Sequence, residues 1–428
     1  MASDRVYRQR LDADLVRWQE EGVISGATAE AIRAQLKPPP EGVTIATVVA
    51  IVGGLLIAAA FLALIAANWT AIPRPARFGI LLAGLATAYT LGALFHRGAR
   101  PYLADLCVSV GCIVFGASVA LVGQMYHLAD DFAAGLLLWA AAAMLAAVLT
   151  GSRGALAVAL VAGCLWSGAR IQELSVVHWP FLGFWSIAAL VAWGWNSAVA
   201  RHLVSIAALA WWIWCAGDYV GTAGRNPAFT LGAGAALLFG GGIAFAGRGT
   251  QALRALGQTL ANYGAIAMAV AVAGAIAVGF DYWHEASRTW SLVCAGVGFG
   301  LAFLGCKDQH WGGPLLAAVS IALALVVVAG WARPPAGEDP WLRFALALVS
   351  MLCLVISGII DDERPRIVAG WIGLAATIGA ITWAVKGSLL RRAAFLAAAG
   401  IATVGLATLL GRMSRKESPQ QISRGRLR

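Results

Sequence analysis

From Val43 to about Gly411 the chain alternates long apolar stretches with short polar breaks. The stretches fall at 44–67, 78–95, 103–123, 132–150, 154–169, 180–198, 203–221, 228–246, 258–280, 289–305, 313–332, 342–360, 366–385 and 392–411. About 20 apolar residues cross a bilayer as a helix, so the pattern predicts about fourteen spans, within a range of 12–14. The stretch at 154–169 is short, and only a slight break separates 180–198 from 203–221. None shows the polar–apolar alternation of a barrel strand, and a lipid-exposed backbone must satisfy its own hydrogen bonds. The predicted fold is therefore an all-α polytopic bundle.

The first 42 residues differ. Tyr7, Leu11, Leu15 and Trp18 recur at helical spacing among charged residues, which predicts an amphipathic helix ending at Glu21–Gly22. Ser25 is placed to cap a second helix running to about Leu36, although Thr28 stands where a capping box has Glu. Pro38–Pro40 then start a stiff linker. The organisation expected is a cytoplasmic helical hairpin with linker (1–42), a membrane domain (43–411) and a basic tail (412–428). A signal peptide is not evident, so the first span is expected to act as an uncleaved anchor.

Composition sharpens the class. Of 428 residues, 60% are apolar and 12% charged, and the mean hydropathy is +0.77. A soluble domain is about 45–50% apolar and about 25% charged, so soluble and disordered chains are both excluded. The net charge is +10. With both termini inside, Lys and Arg total 21 on the inner side and 10 on the outer, but only 9 against 10 once the termini are left out. Orientation thus rests on the tails, which place both termini in the cytoplasm of a cell inner membrane. The hairpin is nearly neutral and the tail lies beside a final span, so anionic lipid, not nucleic acid, is the expected partner. The seven cysteines include no CxxC pair and read as small core residues. Trp69, Trp179, Trp283, Trp290, Trp311, Trp331 and Trp341 fall at span ends as an interfacial belt, whereas Trp211, Trp212 and Trp214 read as bundle packing. Gly217/Gly221 and Gly296/Gly300 have the spacing of close helix contacts, but chance matches are expected among 50 glycines.

Candidate chemistry is sparse. Walker A, GxGxxG, HExxH and GxSxG motifs are absent, and no cofactor or metal site is predicted. The richest stretch is Gly123–Asp131, with Gln124, Tyr126, His127, Asp130 and Asp131 between two spans on the outer side. If this stretch is helical, His127 and Asp131 share a face and could relay protons or bind a cation; two ligands are too few for a metal assignment. The competing reading is a solvated loop in which Asp130 or Asp131 caps the helix starting near Phe132. Asn68, Asp218, and Asp281 with His284 and Glu285 are secondary candidates, the last group a possible second wall of one outward-facing site. His96, His178, His202 and His310 sit singly at span edges and are given no role.

The stretch from Leu15 to Ser25, then Gly53–Leu56, Ala67–Trp69, Pro73–Arg74, Arg77–Phe78, Gly123–Gln124, Tyr126–His127 and Leu136–Ala140 together resemble the bacterial predicted membrane proteins of domain of unknown function 2157. The resemblance covers roughly residues 8–150. It implies membrane class and location, and it carries no activity or catalytic residue. Two functions stand level: binding or transport of a small solute or lipid, and a structural or regulatory role in which the hairpin docks a partner. An intramembrane enzyme would need a nucleophile–base arrangement that is not visible.

Overall fold

A computed structural model describes residues 11, 14–35, 73–98, 100–126, 131–174, 176–217, 227–247, 250–278, 289–306, 312–329 and 341–384. All regular elements among them are helices. They are α1 (14–20), α2 (Gly26–Gln35), α3 (Arg74–Arg97), α4 (Pro101–Tyr126), α5 (Phe132–Thr150), α6 (Arg153–Leu174), α7 (Pro180–Trp195) and α8 (Ala198–Gly217). Then come α9 (Pro227–Gly247), α10 (Gln251–Val278), α11 (Thr289–Cys306), α12 (Gly312–Val328), α13 (Trp341–Ile360) and α14 (Arg364–Ala384). Over its described residues, each apolar stretch predicted between 78 and 385 corresponds to one helix. Those at 44–67 and 392–411 lie outside the described residues.

Nine of the described helices, α3–α6, α8–α10, α13 and α14, are long and apolar enough to cross a membrane. The stretch that looked short, 154–169, extends to 22 residues because Arg153 and Arg170 to Leu174 belong to the same helix. α7, α11 and α12 are shorter; the 16 residues of α7 rise about 24 Å, against about 30 Å of hydrocarbon. The break between α7 and α8 comes from Asn196 in the left-handed region (φ 46°) and Ser197, whose hydroxyl accepts from the Ala200 amide.

The chain divides into two compact units, residues 1–118 and 119–428. In the first, α1 ends in a Schellman turn. Gly22 takes φ +71°, its amide donates to Gln19, and the Val23 amide donates back to Trp18. Ser25 caps α2 by accepting from the Thr28 amide at 3.2 Å, and the Thr28 hydroxyl pairs with Ser25 Oγ at 2.8 Å in place of the missing Glu. α3 and α4 pack through Gly92 against Val108 and through Gly111 against the Tyr89 ring. Thr87, Ser109 and Ser118 return their hydroxyls to carbonyls four residues back, which removes donors from the apolar environment.

The second unit is a bundle built by glycine. α9 lies against α10 and α11 at backbone contact: a Cβ on Gly240 would sit on the Gly298 carbonyl, and one on Gly242 would meet Gly257 and Ala261. The Gly240–Gly242 run therefore serves helix packing. Gly168 and Gly234 leave room for the rings of Trp214 and Trp212. Gly296 and Gly300 face nothing, so their spacing carries no contact. α12 and α13 are joined by two serines: Ser320 Oγ donates to the Ser350 carbonyl at 2.8 Å, and Ser350 Oγ to the Ser320 carbonyl at 2.9 Å.

Candidate functional site

The Gly123–Asp131 stretch is placed only at its edges. Gln124 and Tyr126 close α4. His127 and Asp130 lie outside the described residues, as do Asn68, Asp218, Asp281, His284 and Glu285. Asp131 stands at φ −134°, ψ 84°, outside the helical region, and caps α5 by accepting from the Ala134 amide at 2.9 Å. The capping alternative describes Asp131.

Asp131 has a partner that sequence spacing did not reveal. Arg170 Nη2 donates to its Oδ2 at 2.6 Å, while Arg170 Nη1 donates to Glu173 at 2.8 Å. Loop closure at Gly151 (φ +67°) and the Ser152 cap fold α6 back on α5, bringing Arg170 to the residue that begins α5. The Ala134 amide and then Arg170 hold the Asp131 carboxyl below the usual carboxylate range.

Next to Arg170 lies a buried network. Trp211 Nε1 donates to Ser167 Oγ at 2.9 Å, and Ser167 Oγ lies 3.2 Å from His178 Nδ1. The Trp166 ring meets the imidazole edge-on at 4.6 Å. Burial, and then the Arg170 charge, hold His178 below its ordinary pKa, which favours neutral imidazole. Ser167 Oγ accepts from the indole and pairs with His178 Nδ1, so one hydroxyl joins both rings. A Ser–His contact is thus present that the sequence did not suggest. Ser167 is wholly buried in mid-helix, so this contact ties α6, the 176–179 link and α8 together.

A second buried charge lies between α13 and α14. Arg366, 3% exposed, donates through Nη1 to Asp361 and to Ser357 Oγ (3.0 Å for the serine), and its guanidinium lies 5.7 Å from the Phe239 ring centroid. Asp361 packs against Gly313, where a Cβ would collide with the carboxylate. The run Asp361–Asp362–Glu363–Arg364–Pro365–Arg366 reads in sequence as a charged break. Of this run only Arg366 is buried, and the glycine on α12 that makes room for its partner Asp361 is one that sequence does not couple to it.

A groove of about 960 Å³ lies between α10 and α14. Its walls are small and apolar: Ala269, Ala273, Gly274 and Ala277 on one side, Gly373, Ala376, Gly379 and Ala380 on the other. Ile266, Val270, Val368 and Ile372 form exposed rims, and Arg364 stands at its α14 start. A Cβ added at Gly274 or Gly379 would meet nothing within 4 Å. No group of three His, Cys, Asp or Glu side chains that could hold a metal occurs among the described residues.

No curated protein and no solved structure matches the chain. A polytopic architecture, apolar helices joined by capped turns and buried charges paired with one another are what a multi-pass membrane protein requires. Residues 16–156 match the family model described as Predicted membrane protein (DUF2157), and the chain carries the segment of that family there.

Proposed function

We propose that this is a multi-pass inner-membrane protein, with about fourteen spans and both termini cytoplasmic, that binds membrane lipid in the α10–α14 groove. The observation that carries the reading is the chemistry of that groove: small apolar walls with a single guanidinium, from Arg364, at one end. A path for a polar solute needs polar groups turned into a cavity. Here Ser167, Ser320, Ser350 and Asp361 turn towards protein partners. That favours lipid over solute within the binding reading, and retention over transport.

The test is native mass spectrometry of the full chain released from mild detergent. Wild type is expected to keep phospholipid through repeated washing. Gly274→Leu and Gly379→Leu place side chains in open groove space and are expected to lose it, with folding checked by melting temperature. Equal retention in all three proteins, or none in wild type, overturns the proposal.

The second reading keeps a structural role for the N-terminal hairpin, through a protein partner at residues 1–42. Its support is the pair of exposed side chains Val16 and Val23 on a hairpin closed by its own caps. Deletion of residues 1–40 should then release a co-purifying protein without changing lipid retention.

A further inference from the structure

A separate cavity lies among α7, α8, α9 and α10, and we infer that it holds a hydrocarbon chain inserted sideways from the bilayer. Its volume is about 220 Å³. The floor is Phe181, Trp211, Trp212 and Leu260, all buried, and the mouth is marked by the exposed side chains Leu182 and Phe245.

Three indoles line the space, and each has its N–H committed elsewhere. Trp185 Nε1 donates to the Val204 carbonyl at 2.9 Å, Trp211 Nε1 to Ser167 at 2.9 Å, and Trp212 Nε1 to the Thr230 carbonyl at 2.6 Å. What the rings offer the cavity is carbon. A ligand carrying a carbonyl or hydroxyl would leave that group unpartnered in an apolar space, which costs free energy. A plain chain loses nothing, and dry apolar cavities of this order do take up hydrocarbon.

The cavity also has an open floor position. Gly241 lines it, and a Cβ there meets nothing within 4 Å, whereas its neighbours Gly240 and Gly242 are pressed against other helices. α9 therefore spends two glycines of the run on helix contact and leaves the third facing space. The short α7 helps access, since a span shorter than the hydrocarbon thickness thins the bilayer beside it.

The experiment is a structure of the whole chain in nanodiscs made with phosphatidylcholine brominated at mid-chain, together with bromine quenching of tryptophan fluorescence in vesicles of the same lipid. Bromine density is expected between Phe181, Trp211 and Trp212. Quenching should fall in the order wild type, Gly241→Ala, Gly241→Leu, while melting temperature shows both variants folded. Gly274→Leu, which fills the other groove, should leave density and quenching here unchanged, so failure of either site is read separately. Absence of bromine between these rings, or equal quenching in wild type and both Gly241 variants, overturns the inference.

Discussion

Removing Asp361 should destabilise the protein more than removing the cation it holds. Arg366 is 3% exposed and depends on Asp361 and Ser357 for its hydrogen bonds, with one further donor, Nε, already buried without a partner. Asp361→Ala strands a buried guanidinium, and breaking such a pair from one side costs about 3–5 kcal/mol. The Asp361 side chain is 18% exposed and can recover water when Arg366 is replaced. Arg366→Met, which fills similar volume, should therefore cost less, on the order of 1–2 kcal/mol, the range for an unmade polar contact. The double variant should be no worse than Arg366→Met, so the coupling in the cycle should match the cost of Asp361→Ala, about 3–5 kcal/mol. Unfolding by SDS in mixed micelles, followed by helicity, measures all four proteins. A cost below about 1 kcal/mol for Asp361→Ala, or a larger cost for Arg366→Met, would refute the claim that the buried guanidinium depends on this carboxylate.

Four further outcomes are expected. Gly240→Ala, which puts a methyl on the Gly298 carbonyl, should cost about 1–3 kcal/mol in the same assay, whereas Gly296→Ala faces open space and should be neutral or mildly stabilising. Ser320→Ala and Ser350→Ala each remove one of two reciprocal bonds, and their coupling should be about 0.6 kcal/mol, as for hydrogen bonds between membrane helices generally. His178 is held below its ordinary pKa, so the unfolded chain binds its proton first; stability is full above about 6.5 and falls as pH drops from there towards the lowered folded value, and His178→Phe should flatten that part of a melting profile. Asp131 is lowered too, so its contribution is present above about 3.9 and lost as pH falls through the lowered folded value, an acid loss that Asp131→Asn removes.

Helix existence was legible because apolar length alone decides it in lipid. Thus 132–150 is predicted and found at the same bounds, with Asp131 as its cap. Boundaries were less so. The extension of α6 to Leu174 carries Arg170 and Glu173, polar residues that hydropathy assigns to a loop but that pair with each other and with Asp131. The α7–α8 break depends on a left-handed Asn196, a signal that polarity alone shows as one asparagine. The candidate site was the least legible. Arg170 reaches Asp131 across 39 positions and Trp211 reaches Ser167 across 44, and no local pattern encodes such distances. His178, set aside as a lone edge residue, belongs to that network.

Apart from Asp131, the polar residues that this bundle uses to join its parts are not the ones that the sequence offered as candidate chemistry. In lipid, helices gain little from burying apolar surface against one another, so association rests on close packing and on polar pairs. α9 supplies the first, through glycines at backbone contact with α10 and α11. Ser320–Ser350, Ser167–Trp211–His178 and Asp361–Arg366 supply the second. Once those pairs are made, what faces the larger openings is alanine, glycine and indole carbon, with Arg364 at one rim. A surface of that kind discriminates by shape and by contact with hydrocarbon, so its ligand is expected to come from the membrane itself, with selectivity set where glycine leaves space.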